Sequence, residues 1–129
     1  MVITGLYTAL TVLILVVLST RIGLIRAKTG TSINDGGDQE LALRIRQHGN
    51  LTENAAITLL AIAIVEYNGA PDWAVHALGA VFVISRILHP IGLKADNAMH
   101  PLRGLGAAAS QLVLLIAAGY AAWQFATAG

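Results

Sequence analysis

The chain contains no cysteine, which excludes disulfides, thiolate metal sites and a cysteine nucleophile. Any thiol chemistry must use a thiol carried in by a ligand. Charge is scarce as well: Asp, Glu, Lys and Arg make up 12% of 129 residues, about half the share of an ordinary soluble domain. The net charge of +1 leaves no electrostatic footprint for nucleic acid. Residues 1–20 and 104–129 hold no charged side chain at all, and each stretch is long enough to cross a bilayer as a helix. No basic segment precedes the first run and no small-x-small pattern closes it, so it is expected to be a retained transmembrane helix and not a signal peptide.

What is present is apolar: 56% of the residues, gathered in four runs separated by polar turns. The expected fold is all-α, a membrane four-helix bundle forming a single domain over residues 1–129, with helices near 2–25, 39–67, 73–93 and 102–125. Helix one should stop at Arg26, Lys28 and the turn-rich segment around Asn34-Asp35-Gly36-Gly37. Asp38 is placed to cap helix two, with Glu40 in its first turn. That helix, at about 1.5 Å per residue, is longer than the hydrocarbon core, so its first turns should stand at the interface. Asp72 is placed to cap helix three, which Pro90 should kink or end. Pro101 sits where a first-turn proline is tolerated, opening helix four.

The basic residues are one-sided. Arg21, Arg26, Lys28, Arg44 and Arg46 flank the first loop, Arg86, Lys94 and Arg103 flank the third, and the second loop has none. By the positive-inside bias, the first and third loops are cytoplasmic and both termini lie on the opposite side. Trp73, Trp123 and Tyr67 then read as belt residues at the outer interface.

Polar side chains also stand where lipid should be. The run Arg44-Ile45-Arg46-Gln47-His48-Gly49-Asn50-Leu51-Thr52-Glu53-Asn54 leads straight into an apolar stretch, and groups so close to the core normally face protein or a water-filled pocket. At about 100° per residue Arg46, Asn50 and Glu53 share one helical face, while His48 projects to nearly the opposite side. Arg86 and His89 fall on one face of helix three, and Arg103 opens helix four at the same end. Guanidinium groups with an amide and one glutamate suit an anionic ligand bearing an amino group. The blander readings are a buried structural network for Arg46, Asn50 and Glu53, a cross-helix hydrogen bond for His48, and snorkelling toward headgroups for Arg21, Arg26 and Arg44. The histidines His48, His76, His89 and His100 share no metal-ligand spacing, so no metal is expected, and lone His76 reads as interfacial. The small-residue run Gly104 to Ser110 suits close helix packing.

The segment Arg46-Gln47-His48-Gly49-Asn50-Leu51-Thr52-Glu53 resembles the second-helix pattern Arg-x-His-x-Asn-x-x-Glu of the membrane-associated proteins in eicosanoid and glutathione metabolism. Chain size, four helices, Asp35-Gly36-Gly37, Arg86-x-x-His89 and Arg103 after Pro101 agree with a bacterial-type member. The resemblance implies a homotrimer that binds glutathione between adjacent subunits at the cytoplasmic end. It implies further that Arg46, Asn50, Glu53, Arg86 and Arg103 hold the tripeptide, with His48 beside them and His89 among the binding residues, and that Arg103 stabilises the thiolate. A lipophilic molecule or lipid would arrive from the membrane. The sequence departs from mammalian relatives at Leu43, Asn54 and Leu93, where an arginine or tyrosines are common. The implied function is a membrane glutathione transferase or peroxidase. The alternative is a non-catalytic lipid-binding or scaffold protein of the same fold. A small four-helix exporter fits least, since helix one carries no acid and the loop charge is wholly one-sided.

Overall fold

The computed structural model describes residues 1–94, 97 and 99–128. Four helices follow in order: α1 (Val2–Thr29), α2 (Gln39–Tyr67), α3 (Asp72–Gly92) and α4 (Pro101–Thr127). No strand occurs among the described residues. Each of α1, α3 and α4 is long and apolar enough to cross a membrane. The 29 residues of α2 span about 44 Å. Its first half carries the polar run, so its apolar density is lower, yet it packs against all three other helices and completes the bundle.

The helix ends follow local chemistry. Asp38 accepts the backbone N–H groups of Glu40 and Leu41 through one carboxylate oxygen, at 2.8 and 3.0 Å, as an N-cap should. Two expectations need correction. The first helix runs a turn past Ile25 to Thr29: Arg26 and Lys28 favour the negative helix end, and Gly30, in the left-handed region at φ 70°, closes it by donating to the carbonyl of Arg26. The second concerns Asp72, which is the first helical residue of α3 and not its cap; Pro71 holds the cap position and its carbonyl accepts from Ala74 and Val75. At the start of α4, His100 caps through its ring nitrogen, which accepts from Leu102 N–H, and Pro101 follows as the first helical residue.

The interior is filled by Ile62, Val65, Val75, Leu78, Phe82, Val113 and Ala117, toward the end away from the basic loops. Large apolar side chains elsewhere, such as Leu13, Val16 and Leu24 on α1 or Leu112, Leu115 and Ile116 on α4, point outward, the pattern of a protein whose solvent is hydrocarbon. Lipid removes the hydrophobic drive between helices, so close approach and buried polar ties do more of the work. At the apolar end the Tyr7 ring lies against Gly79, whose missing Cβ leaves it room, and Tyr7 shares a 2.9 Å hydrogen bond with His76. The Glu66 carboxylate accepts the N–H groups of Ile3 and Thr4, supplying the cap that α1 lacks. Trp73, Trp123 and Tyr67 are exposed at this end.

At the basic end, Gly92 and Gly106 bring α3 and α4 together. A Cβ on Gly92 would overlap the backbone nitrogen of Arg103, and one on Gly106 would sit 2.8 Å from both His89 N and Ser85 O. The small-residue run is thus used in part inside the subunit: Gly106 and Ser110 are buried, whereas Gly104 and Ala108 stay exposed.

Candidate functional site

Pro90 has no N–H to give the turn before it, and α3 ends two residues later. Gln47, nearly fully buried, reaches across from α2 and donates to the carbonyls of Pro90 and Leu93 at 2.8 and 3.2 Å, satisfying oxygens that a helix end leaves bare. Its own side-chain oxygen accepts from Arg44 at 3.2 Å. Sequence reasoning passed over Gln47 because the carbonyls it ties lie more than forty residues away; a buried-side position near an arginine was the available hint.

One turn further along α2, Asn50 faces Arg86. The Arg86 guanidinium is 2% exposed and gives every arm to the protein: Nη1 donates to Asn50 Oδ1 at 2.9 Å, Nη2 to the Gly106 carbonyl at 2.9 Å, and Nε to Ser85 Oγ at 3.3 Å. Its flank lies 5.8 Å from the Phe82 ring centre. Arg86 therefore binds α2, α3 and α4 together and fixes the Asn50 amide. It is built into the wall and not held out to a ligand.

Arg46 and Glu53 lie on the outer face of α2. Their side chains form a two-pronged ion pair, Nη1 to Oε1 at 2.9 Å and Nη2 to Oε2 at 3.2 Å, laid over Gly49. Both stay more than half exposed, at 59% and 54%. A charged pair on such a surface contributes little to stability and opens easily. Beside it is a hollow of about 470 Å³, bounded on the other side by Asn34 and Asp35 of the first loop. Asp35 holds that turn by accepting the Gly37 N–H at 2.9 Å, with Asn34, Gly36 and Gly37 all at positive φ. The facing of Asn34 and Asp35 toward the pair was not legible from their loop position.

His89 is buried on α3, within electrostatic reach of Arg86, Arg103 and Arg46. Arg103 is half-buried in the first turn of α4, its backbone against Gly92. Arg46, Asn50, Glu53, Arg86, His89 and Arg103 thus gather at one end of the bundle. His48 does not join them: it is half-buried on another side of α2, and its side chain makes no hydrogen bond to Arg46, Asn50 or Glu53. Leu43 and Leu93 do not meet the ion pair either; both line a separate cavity among α1, α2 and α3.

A family model described as the MAPEG family matches residues 4–123, nearly the whole length. The chain belongs to the MAPEG family. It is an integral, multi-pass membrane protein, and MAPEG proteins as a group act on glutathione and on eicosanoid-type lipids in membranes. A search of curated proteins finds no match to the chain.

Proposed function

We propose that the chain is a membrane glutathione transferase or peroxidase, working as a homotrimer. The observation that carries this is the Arg46–Glu53 pair, exposed on a bilayer-length helix beside a hollow and backed by three further basic or imidazole groups. Two charges left on the outside of a membrane bundle need a neighbouring subunit or a water-filled pocket to face. A second copy of the chain would turn the open hollow into an enclosed cleft. The donor set fits glutathione: Arg46 matches a carboxylate, Glu53 matches the ammonium, and a ligand bearing both can exchange the internal ion pair for two external ones. Asn50, its oxygen held by Arg86, keeps its N–H₂ for a peptide carbonyl. Arg86 acts through Asn50 as a positioning residue, and His89 lies beside it, whereas His48, on another side of α2, would face bound glutathione only across the junction with a neighbouring subunit.

In the reaction, the bound thiol gives its proton to solvent, and the Arg103 guanidinium stabilises the sulfur anion left behind. The sulfur's electron pair then forms a bond to an electrophilic carbon of a lipophilic molecule entering from the bilayer, expelling its leaving group as an anion or passing the electrons to an activated double bond that takes a proton from water. With a hydroperoxide the O–O bond breaks instead, the alcohol leaves after protonation by water, and a second glutathione reduces the sulfenic acid to the disulfide and water. The decisive test is a glutathione titration of detergent-purified protein, with Glu53→Gln beside wild type. Losing a charge-assisted hydrogen bond of about 1.5–3 kcal/mol should weaken binding roughly ten- to hundredfold. Glutathione lacking its amino group should bind both proteins alike. If wild type shows no saturable glutathione binding, the lipid-binding, non-catalytic reading replaces this one.

Two arrangements accompany the proposal. All eight Lys and Arg residues flank the first and third loops, which supports cytoplasmic placement of those loops with both termini outside. A phosphatase fused after Gly129 should be active only on the outer side, and a cytoplasmic reporter signal there would overturn the topology. Native mass spectrometry in mild detergent should show three copies, with monomers and dimers alone counting against the trimer.

A further inference from the structure

A hollow of about 590 Å³ lies outside the Arg46–Glu53 site, on the side of the bundle where α1, α2 and α3 meet near the basic end. Its walls are apolar: Leu13 and Val17 from α1, Leu43 from α2, and Ile87, Ile91 and Leu93 at the end of α3. Its mouth is cationic, with Arg21 on α1, Arg44 on α2 and Lys94 just after α3. Arg44 is half-buried and already bonded to Gln47 and Glu40. Arg21 and Lys94 are exposed and make no hydrogen bond or ion pair among the described residues. Among the described residues, the carboxylate bonded to this group is Glu40, 63% exposed and paired with Arg44.

From this juxtaposition we infer that the groove is a seat for an anionic glycerophospholipid, one acyl chain between α1 and α3 and the phosphate at Arg21, Arg44 and Lys94. The depth and the charge answer different parts of one molecule. An acyl chain alone needs no cations, and a free phosphate gains nothing from leucine and isoleucine walls. Three cations from three helical elements would be driven apart by their own charge, and a phosphodiester offsets that repulsion while holding the ends of α1, α2 and α3 in register. Snorkelling alone accounts for one long side chain reaching a headgroup layer, not for three around a single apolar slot.

Native mass spectrometry of the detergent-purified protein, doped with phosphatidylglycerol, with phosphatidylethanolamine of the same chains, or with oleate, tests the assignment. Phosphatidylglycerol should be retained at least tenfold over phosphatidylethanolamine. Arg21→Gln/Lys94→Gln should weaken that retention on the order of tenfold or more. Both side chains are exposed, so the fold should survive, and Arg26→Gln/Lys28→Gln removes the same charge from α1 up to about two turns further on as a comparison. Val17→Phe, which narrows the slot and leaves the charges, should lower retention as well. Equal retention of the two phospholipids, stronger retention of oleate, or an unchanged double variant would each overturn the proposal. None of these outcomes bears on glutathione binding at Arg46 and Glu53, which is read separately.

Discussion

Gly92→Ala is expected to destabilise the protein by about 2–3 kcal/mol and to cut conjugation activity roughly a hundredfold. Alanine is the better helix former, so on intrinsic propensity the change should stabilise α3 by up to about 1 kcal/mol. Packing reverses the sign. The new methyl would overlap the backbone nitrogen of Arg103 and crowd the neighbouring Leu102 carbonyl carbon, which sit in the first turn of α4. Backbone cannot rotate aside as a side chain would, so α4 has to move off α3 or the end of α3 has to unwind. Either movement displaces Arg103, and a shift near 1 Å at a reacting centre is enough for a hundredfold loss. Gly23→Ala is the comparison, because a Cβ there meets nothing within 4 Å. Thermal unfolding followed by circular dichroism in one detergent should separate the two. Equal melting temperatures would show that the α3–α4 contact is looser than described.

The parts of this molecule that could be read from sequence are those whose causes are local. Asp38 as a cap, Pro101 as a first helical residue and the shared face of Arg46 and Glu53 follow from positions one to seven residues apart, and the structure has each of them, with Asn50 turned inward from that face to Arg86. The turn missed at the end of α1 has the same lesson inverted. Charge at Arg26 and Lys28 marks where lipid ends and not where hydrogen bonding ends; Gly30 is the terminator. Asp72 misled because an aspartate after a proline looks like a cap, while the proline's own fixed backbone already occupies that position. The site divided along the same line. That Arg86 spends its charge on Gly106 and Asn50, that Gln47 seals the end of α3, and that Leu43 and Leu93 face a different cavity from the ion pair all depend on which helices become neighbours. No spacing within one helix encodes that.

Arg103→Ala should lose the ultraviolet absorbance of bound thiolate at neutral pH while keeping much of the glutathione binding, and turnover at pH 7 should fall roughly twenty- to thirtyfold. Arg103 lies in the first turn of α4, where the polar end of the bundle meets the lipid-facing surface, and its charge reaches the same region as those of Arg46 and Arg86 around His89. A free thiol ionises near pH 8.5, so only a few per cent is thiolate at neutrality. Each pKa unit that the guanidinium removes stabilises the anion by about 1.4 kcal/mol, and two units would make most of the bound sulfur reactive at pH 7. The sign fixes the pH dependence. A group whose pKa is lowered is already ionised at neutral pH, so the wild-type rate should be flat from pH 7 to 9. The variant, its thiol back near 8.5, should climb through that range and recover part of the rate. Arg103→Lys keeps the charge without the planar fork and should fall between the two. Glu53→Gln should show the opposite pattern, with weaker binding but an unchanged pH profile for the glutathione that still binds. Full thiolate absorbance and turnover in Arg103→Ala would place the activating charge on another residue, with Arg46 next in line.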